Sequence, residues 1–221
     1  MRKQKLSLKE LYEKLLDTYG YQNWWPVDIE YHTKRRTDPR DEIIIGAILT
    51  QNTSWRNVEK ALENLKRQGE LSLEFIRKVP EDELKLLIKP AGFYNQKAKR
   101  LKTVAYFINP TDKIKTLPRE SLLKVKGVGK ETADAILLYA GERLSFVIDK
   151  YTLRFIERFY HLRFNYDEAK RFFEENLPRD LRIYKEFHAL IDEHAKKACK
   201  STPLCEGCRL RYYCLSASPS F

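Results

Sequence analysis

The sequence LLKVKGVGKETADAILLYAGERLSFVIDKYTLR, residues 122–154, decides the fold that we expect for this chain. It contains a short helical run, a Gly-x-Gly turn at Gly127 and Gly129, and an apolar run that predicts a second helix from about Lys130. Glycines permit a tight turn, and they let an external group approach the backbone amides at the start of the following helix. Such amides attract an anion, although many Gly-x-Gly turns only join two helices.

The charge of the chain favours a polyanionic partner. Lys and Arg total 42 against 31 Asp and Glu, which gives a formal net charge of +11, and the calculated pI is about 9.4. Lysines 124, 126 and 130 surround the Gly-x-Gly turn. The sign and size of this charge therefore predict a polyanion as partner, and a merely soluble basic surface is the alternative. A length of 221 residues suits one compact unit of one or two small domains.

Several segments together carry a family resemblance. The hairpin sequence KGVGKETADAI and the later VIDKY are accompanied by WWP at 24–26, LTQNT at 49–53, AGFYNQKAKRL at 91–101 and four C-terminal cysteines. In this order they resemble the helix-hairpin-helix and Gly/Pro-Asp elements of the endonuclease III superfamily of DNA glycosylases. Within it, they are most similar to the 3-methyladenine DNA glycosylases of endonuclease III type.

The resemblance implies an all-α fold of two helical subdomains. One is expected at 39–141 with the helix-hairpin-helix, and the other joins 1–38 to 142–221 and carries a C-terminal four-cysteine iron–sulfur loop. Periodicity predicts a first helix with a capping box at Ser7 and an end at Gly20, and a helix around 58–65. Further helices are predicted at 72–79, 81–88, 96–108, 167–176 and 180–198, and residues 29–42 are predicted as a polar linker.

Asp149 is the candidate catalytic residue. Breaking a glycosidic bond builds positive charge on the sugar, and a carboxylate can offset that charge and activate water. Position alone favours a simpler role, an N-cap of the helix from Lys150, but in the family the matching aspartate is catalytic. Glu131 stands where the family's strand-cleaving members have a Schiff-base lysine. Lys130 is assigned to phosphate, and Lys150 is harder to exclude as a substitute amine.

Aromatic residues are the candidates for holding a base that is flipped out of the duplex. Trp24 and Trp25 lie in a loop and Trp55 in a polar interruption between helical runs, and their roles open from the sequence are core packing and stacking on a cationic alkylated base. The resemblance places them in the base pocket, together with Glu131 and Lys150. It also matches Gln51 to the residue that fills the gap left in the duplex.

The cysteines, Cys199, Cys205, Cys208 and Cys214, are separated by five, two and five residues and predict a metal site. Their spacing leaves zinc and iron–sulfur open. The resemblance implies a [4Fe–4S] cluster, although the family's first gap is usually six residues. No run approaches the roughly 18 apolar residues of a membrane span. We expect a cytoplasmic, nucleoid-associated monomer.

The sequence therefore predicts a base excision repair enzyme that acts on double-stranded DNA with a damaged base. The expected activity is a monofunctional glycosylase for alkylated purines such as 3-methyladenine. A glycosylase with AP lyase activity, or a thymine/uracil glycosylase, is the alternative within the fold. The alternative of another class is a noncatalytic DNA-binding protein, which would bind DNA without releasing a base.

Overall fold

The computed structural model describes residues 5–68 and 70–217, and within them all regular structure is helical, as expected. The α-helices of this part are α1 Leu8–Tyr19, α2 Ile29–Arg35, α3 Pro39–Leu49, α4 Trp55–Gln68, α5 Leu73–Lys78, α6 Glu81–Leu87, α7 Tyr94–Phe107, α8 Arg119–Leu123, α9 Lys130–Ala135, α10 Lys150–Tyr160, α11 Tyr166–Asn176 and α12 Leu181–Lys197. Two short 3₁₀ turns cover Lys89–Ala91 and Thr111–Lys115, and a π-helical turn at Ile136–Ala140 continues α9.

The helix signals in the sequence are confirmed. The Ser7 hydroxyl accepts the Glu10 amide at 3.2 Å, while the Glu10 carboxylate accepts the Ser7 amide at 2.7 Å, which is the predicted capping box. Gly20 ends α1 with a φ of +71°. The helices predicted after residue 50 correspond to α4, α5, α6, α7, α11 and α12, and Asp149 caps α10.

The linker expected at 29–42 is wrong, because this segment contains α2 and the start of α3. Some of the charged side chains of this segment are buried and do not face solvent. His32 and Glu42 are buried and lie 3.2 Å apart, and Lys66 from α4 approaches Glu42 at 3.0 Å. Buried charges are tolerated when they are paired and hydrogen-bonded, so this network lets a polar sequence form packed helices. The polar composition of residues 29–42 therefore did not indicate a linker.

The chain divides into two compact units, one of residues 25–143 and the other of the residues before 25 and after 143. The domain boundaries expected at 39 and 141 stay a prediction. The division by packing places residues 25–38 in the unit that contains the hairpin. In that unit α3 is buried from Asp41 to Leu49 and packs against α4, α7 and the π-helical turn. A helix that is apolar on all sides belongs in a core, which explains its sequence.

The other unit packs α1 and α10 against α12, with an aromatic core. The rings of Phe146 and Phe173 stack at 4.2 Å, and Phe187 meets both edge-on at 6.1 and 5.6 Å. Such ring pairs add specific geometry to a large buried apolar area. Across the residues that the structure describes, no helix is long and apolar enough to cross a membrane.

Candidate functional site

The hairpin between α8 and α9 requires glycine at position 127, whereas position 129 has open space beside it. Gly127 has a φ of +88°, and an added Cβ would lie 2.5 Å from the side chain of Arg100. Gly129 caps α9 with a φ of −87°, and an added Cβ would meet no atom within 4 Å. Open space beside exposed Gly129 gives an external group access to the first amides of α9.

The two hairpin helices are joined by a partly buried ion pair. Arg119 of α8 donates to both carboxylate oxygens of Asp134 on α9, at 2.7 and 2.8 Å, and Asp134 is fully buried. A bidentate pair fixes geometry as well as charge. Arg119 and Asp134 were not among the residues singled out from the sequence, and they hold the turn in place.

Gln51 contacts the hairpin directly. Its Nε2 donates to the Gly127 carbonyl at 3.1 Å and to the Thr132 hydroxyl at 3.0 Å, and its Oε1 accepts from Arg100 Nη1 at 2.6 Å. The structure therefore brings together two sequence motifs, LTQNT and the hairpin, that lie 76 residues apart in the chain. Arg100 and Thr132 were missed as partners of Gln51. The only sequence signal was that each lies inside a quoted motif.

The tryptophans are half-buried, and two of them meet. Trp25 lies edge-on to Trp55, with ring centroids 5.5 Å apart, and to Tyr139 of the π-helical turn at 5.4 Å. Gly46 allows this packing, since an added Cβ there would lie 3.0 Å from the Trp25 ring. Trp25 and Trp55 thus form an aromatic group with partly exposed surface. Trp24 belongs to the other unit and is half-buried as well.

Asp149 has both the capping geometry and a second polar neighbour. One carboxylate oxygen accepts the Thr152 amide at 2.6 Å, so the N-cap reading is correct. The other oxygen lies 3.8 Å from Nε2 of His188 on α12, and the two side chains are 14% and 13% exposed. Burial raises the pKa of Asp192, one turn further along α12, and the nearby Asp149 carboxylate raises it further. His188 and Asp192 were not expected from the sequence.

The charged residues beside these motifs are exposed. Four exposed side chains lie around the hairpin, those of Lys124, Lys126, Lys130 and Glu131. Lys150 is exposed too, and its ammonium lies 5.0 Å from the centre of the Tyr151 ring.

The four cysteines line one cavity of about 70 Å³ with mostly apolar walls. Within the described residues no three of these or other donor side chains converge on a single ion-sized point. One zinc ion would need sulfurs at about 2.3 Å from a common centre. A four-iron cluster is held by four cysteine thiolates, and the four cysteines that line this cavity supply that set of donors.

Neighbouring side chains hold the cysteine loop. Arg158 of α10 donates to the Ser201 carbonyl at 2.8 Å and lies 3.5 Å from the Cys199 sulfur. His194 shares a 2.9 Å hydrogen bond with the Tyr19 hydroxyl, and its other nitrogen lies 3.9 Å from the Cys208 sulfur. Burial lowers the pKa of His194 to about 4, so the imidazole is neutral at neutral pH.

With the hairpin and the aspartate in place, comparison with known proteins identifies the family. Residues 45–179 match the HhH-GPD superfamily of base excision DNA repair proteins. The chain belongs to this superfamily. A protein of Methanocaldococcus jannaschii that is described provisionally as a DNA repair glycosylase is 51% identical, over 94% of this chain and 95% of its own length.

Two further relatives of this HhH-GPD protein have more specific names. An endonuclease III of Sulfolobus acidocaldarius is 30% identical over 77% of this chain and 79% of its own. The crystal structure of an H. pylori 3-methyladenine DNA glycosylase bound to 1,N6-ethenoadenine has a TM-score of 0.70 and 30% identity, and the match covers 87% of this chain and 98% of that one. The chain is thus a DNA glycosylase of the endonuclease III superfamily.

Proposed function

We propose that this glycosylase is monofunctional and hydrolyses the N-glycosidic bond of alkylated purines, with 3-methyladenine as the main substrate. The observation that carries the proposed hydrolysis is the position of the Asp149 carboxylate. One of its oxygens is fixed by the Thr152 amide, and the side chain remains partly exposed beside His188. A carboxylate held in this way can face a sugar without reorganising.

The reaction needs little more than this carboxylate. As the bond between C1′ and the purine nitrogen breaks, its electron pair passes to the cationic base, which leaves as a neutral molecule. Asp149 offsets the positive charge that develops on the sugar. Water then adds its oxygen to C1′, and Asp149 accepts the proton that the water loses. The products are the free base and an abasic strand.

Aromatic stacking supports the choice of an alkylated purine. A purine methylated at N3 carries positive charge, which electron-rich ring faces attract. We assign Trp24, Trp25 and Trp55 to the recognition of this base, together with Glu131 and Lys150. The substrate class rests on the H. pylori relative, which acts on 3-methyladenine by its name and shares 30% identity.

The hairpin is assigned to the DNA backbone. The amides after Gly127 and Gly129, with Lys130 beside them, are assigned to phosphate oxygens. Contacts of this kind position a protein on DNA and carry no sequence information. Gln51, held against the same hairpin, is assigned to the gap that the flipped base leaves. The roles assigned to the hairpin and to Gln51 both require that the protein binds double-stranded DNA.

We assign a [4Fe–4S] cluster to Cys199, Cys205, Cys208 and Cys214, which line one cavity. Bound there, the cluster would supply structural cross-linking and no chemical step. Its role is to hold the basic loop in shape, because ligand binding and folding are coupled in such sites.

The test of the function is release of bases from alkylated DNA. Duplex DNA treated with a methylating agent is incubated with the protein, and the released bases are separated by chromatography. We expect 3-methyladenine as the main product. Release of thymine or uracil from mismatched duplexes would favour the thymine/uracil alternative, and binding without release of any base would favour a noncatalytic DNA-binding protein.

The absence of strand cleavage has its own test. A Schiff base needs an amine, and Glu131 offers a carboxylate at the family's lysine position. Borohydride added during turnover should therefore trap no covalent protein–DNA adduct. An adduct would overturn the monofunctional assignment, and its disappearance in Lys150→Ala would identify the substitute amine.

A further inference from the structure

Both donors and one acceptor position of the Gln51 side-chain amide have partners within the protein. Both hydrogens of Nε2 have acceptors, the Gly127 carbonyl at 3.1 Å and the Thr132 hydroxyl at 3.0 Å. Oε1 accepts from the Arg100 guanidinium at 2.6 Å. An amide has two donors and one carbonyl acceptor, so little capacity remains for a nucleotide. Gln51 cannot enter a duplex and keep these three hydrogen bonds.

The partners of Gln51 are themselves held in place. Thr132 is buried in α9, one turn from the hairpin. The Arg100 side chain fills the space beside Gly127, where an added Cβ would lie 2.5 Å from it. A change of Gln51 therefore leaves two fixed groups without their partner. For the buried Thr132 hydroxyl this loss costs more than the hydrogen bond itself is worth, whereas the half-buried Arg100 keeps a contact to Gln96 at 3.4 Å.

We propose that Thr132 and Arg100 determine specificity by holding Gln51 out of the duplex, so that only weakly paired sites are opened. The inference rests on the proposed role of Gln51 in filling the gap beneath a flipped base. Insertion exchanges three hydrogen bonds in the protein for contacts in the DNA. At a normal pair the cost of unpairing is added to this exchange, whereas at a damaged or mismatched pair unpairing costs less. The three hydrogen bonds that hold Gln51 thus set a free-energy threshold for opening a base pair.

Removal of one contact tests the threshold. Thr132→Val keeps the shape of the side chain and deletes the hydroxyl that accepts from Gln51, and Thr132→Ser keeps a hydroxyl as the matched control. Arg100→Met removes the contact to Oε1. Opening is measured by the fluorescence of 2-aminopurine placed next to the target base, which rises when the target base leaves the stack. Saturating protein is used, so that a change in overall affinity for DNA does not alter the measured open population.

Two duplexes separate the threshold from general effects. In one, the target base is normally paired, and in the other it faces an abasic site and is already weakly held. Thr132→Val should raise the open population of the paired duplex about threefold to tenfold, the size of one neutral hydrogen bond. It should leave the second duplex unchanged, because a population near saturation cannot shift further. Arg100→Met should act in the same direction, and Thr132→Ser should match wild type.

A Gln51→Ala background shows whether the effect passes through Gln51. There Thr132→Val should have no effect on opening. An effect that persists without Gln51, an unchanged or lowered opening in Thr132→Val, or a Gln51→Ala variant that opens DNA as wild type does would each overturn the inference. Because the fluorescence needs no chemistry, a protein that opens DNA as expected but releases no base would overturn the proposed catalytic function alone.

Discussion

Asp149 is a helix cap and a candidate catalytic group at once, and a single substitution separates the two roles. Asparagine caps helices as well as aspartate does, so Asp149→Asn should keep the fold and the affinity for DNA. It loses the negative charge that the sugar cation needs. We expect base release to fall by at least about 10²-fold in single-turnover measurements, with an unchanged melting temperature.

The matched control for this change is Asp180→Asn. Asp180 caps α12 by accepting the Arg182 and Ile183 amides at 2.7 and 3.1 Å, and no catalytic role is assigned to it. Base release should be the same as in wild type. If Asp149→Asn kept full activity, the carboxylate would not be the catalytic group.

Lys97 gives a pH-dependent contribution to stability. Its fully buried ammonium donates to the Leu49 and Ala91 carbonyls, both at 2.7 Å, and so supports the start of the loop that carries Gln51. Burial lowers the pKa of Lys97 from 10.5 to about 8. Between these values the unfolded chain binds more protons than the folded one, so stability rises with pH in this window and is lost as pH falls through it.

The expected size is about 3 kcal/mol, from about 1.4 kcal/mol per pKa unit. The free energy of unfolding of wild type, measured with denaturant, should rise relative to that of Lys97→Met between pH 8 and 10.5. Other lysines and tyrosines titrate there too, but they do so equally in both proteins. Parallel pH profiles for the two would show that the burial of Lys97 does not shift its pKa.

At the scale of elements, the two hairpin glycines should respond differently to alanine. Gly127→Ala forces a side chain into a left-handed conformation and against Arg100. It should lower the melting temperature and weaken binding to damaged and undamaged DNA alike. Gly129→Ala meets no neighbour, so stability should hold while the methyl group obstructs phosphate and weakens binding.

Melting curves and binding isotherms on both duplexes distinguish these outcomes. Gly20→Ala is a useful control for strain alone, since Gly20 has a φ of +71°, has open space around it and ends α1. It should affect stability and leave DNA binding intact. A Gly129→Ala protein that binds DNA as wild type does would remove the hairpin amides from the phosphate contact.

Helix α10 links the candidate catalytic aspartate to the cysteine loop, since Asp149 caps its start and Arg158 near its end binds the loop. Cys208→Ser should remove most of the roughly four iron atoms per chain, together with the brown colour, and lower the melting temperature. Ser201→Ala, in the same loop, should keep both. Wild-type protein that is prepared anaerobically and carries zinc without visible absorption would contradict the cluster.

For the whole molecule, local sequence signals predicted local structure well. The capping box at Ser7, the Gly-x-Gly turn and the cap at Asp149 each act within a few residues, and each is present. Pairs distant in the chain were not predictable from spacing. Arg100 meets Gln51 across 49 residues, and Tyr19 meets His194 across 175. Such contacts depend on the tertiary arrangement of the helices, which periodicity does not specify.

The missed helix α2 has a related cause. Its residues, IEYHTKR, are mostly polar, and a hydrophobic stripe is absent. The helix forms because Asp28 accepts the Tyr31 amide at 2.9 Å and because His32 finds Glu42 from α3. A helix stabilised by a cap and a buried charge pair leaves little trace in hydrophobic periodicity.

The net charge of +11 belongs to the whole molecule, and it predicts how DNA binding depends on salt. Each phosphate that a cation neutralises releases counterions, so the logarithm of affinity should fall linearly with the logarithm of salt, by about 0.9 per phosphate. We expect a slope steeper than about −3 on undamaged duplex, which corresponds to three or more neutralised phosphates. Lys126→Gln and Lys130→Gln should each reduce the slope by about one. Lys9→Gln, which removes a lysine paired with Glu13 on α1, should leave it unchanged. Equal effects of all three substitutions would mean that net charge alone, and not the hairpin, attracts DNA.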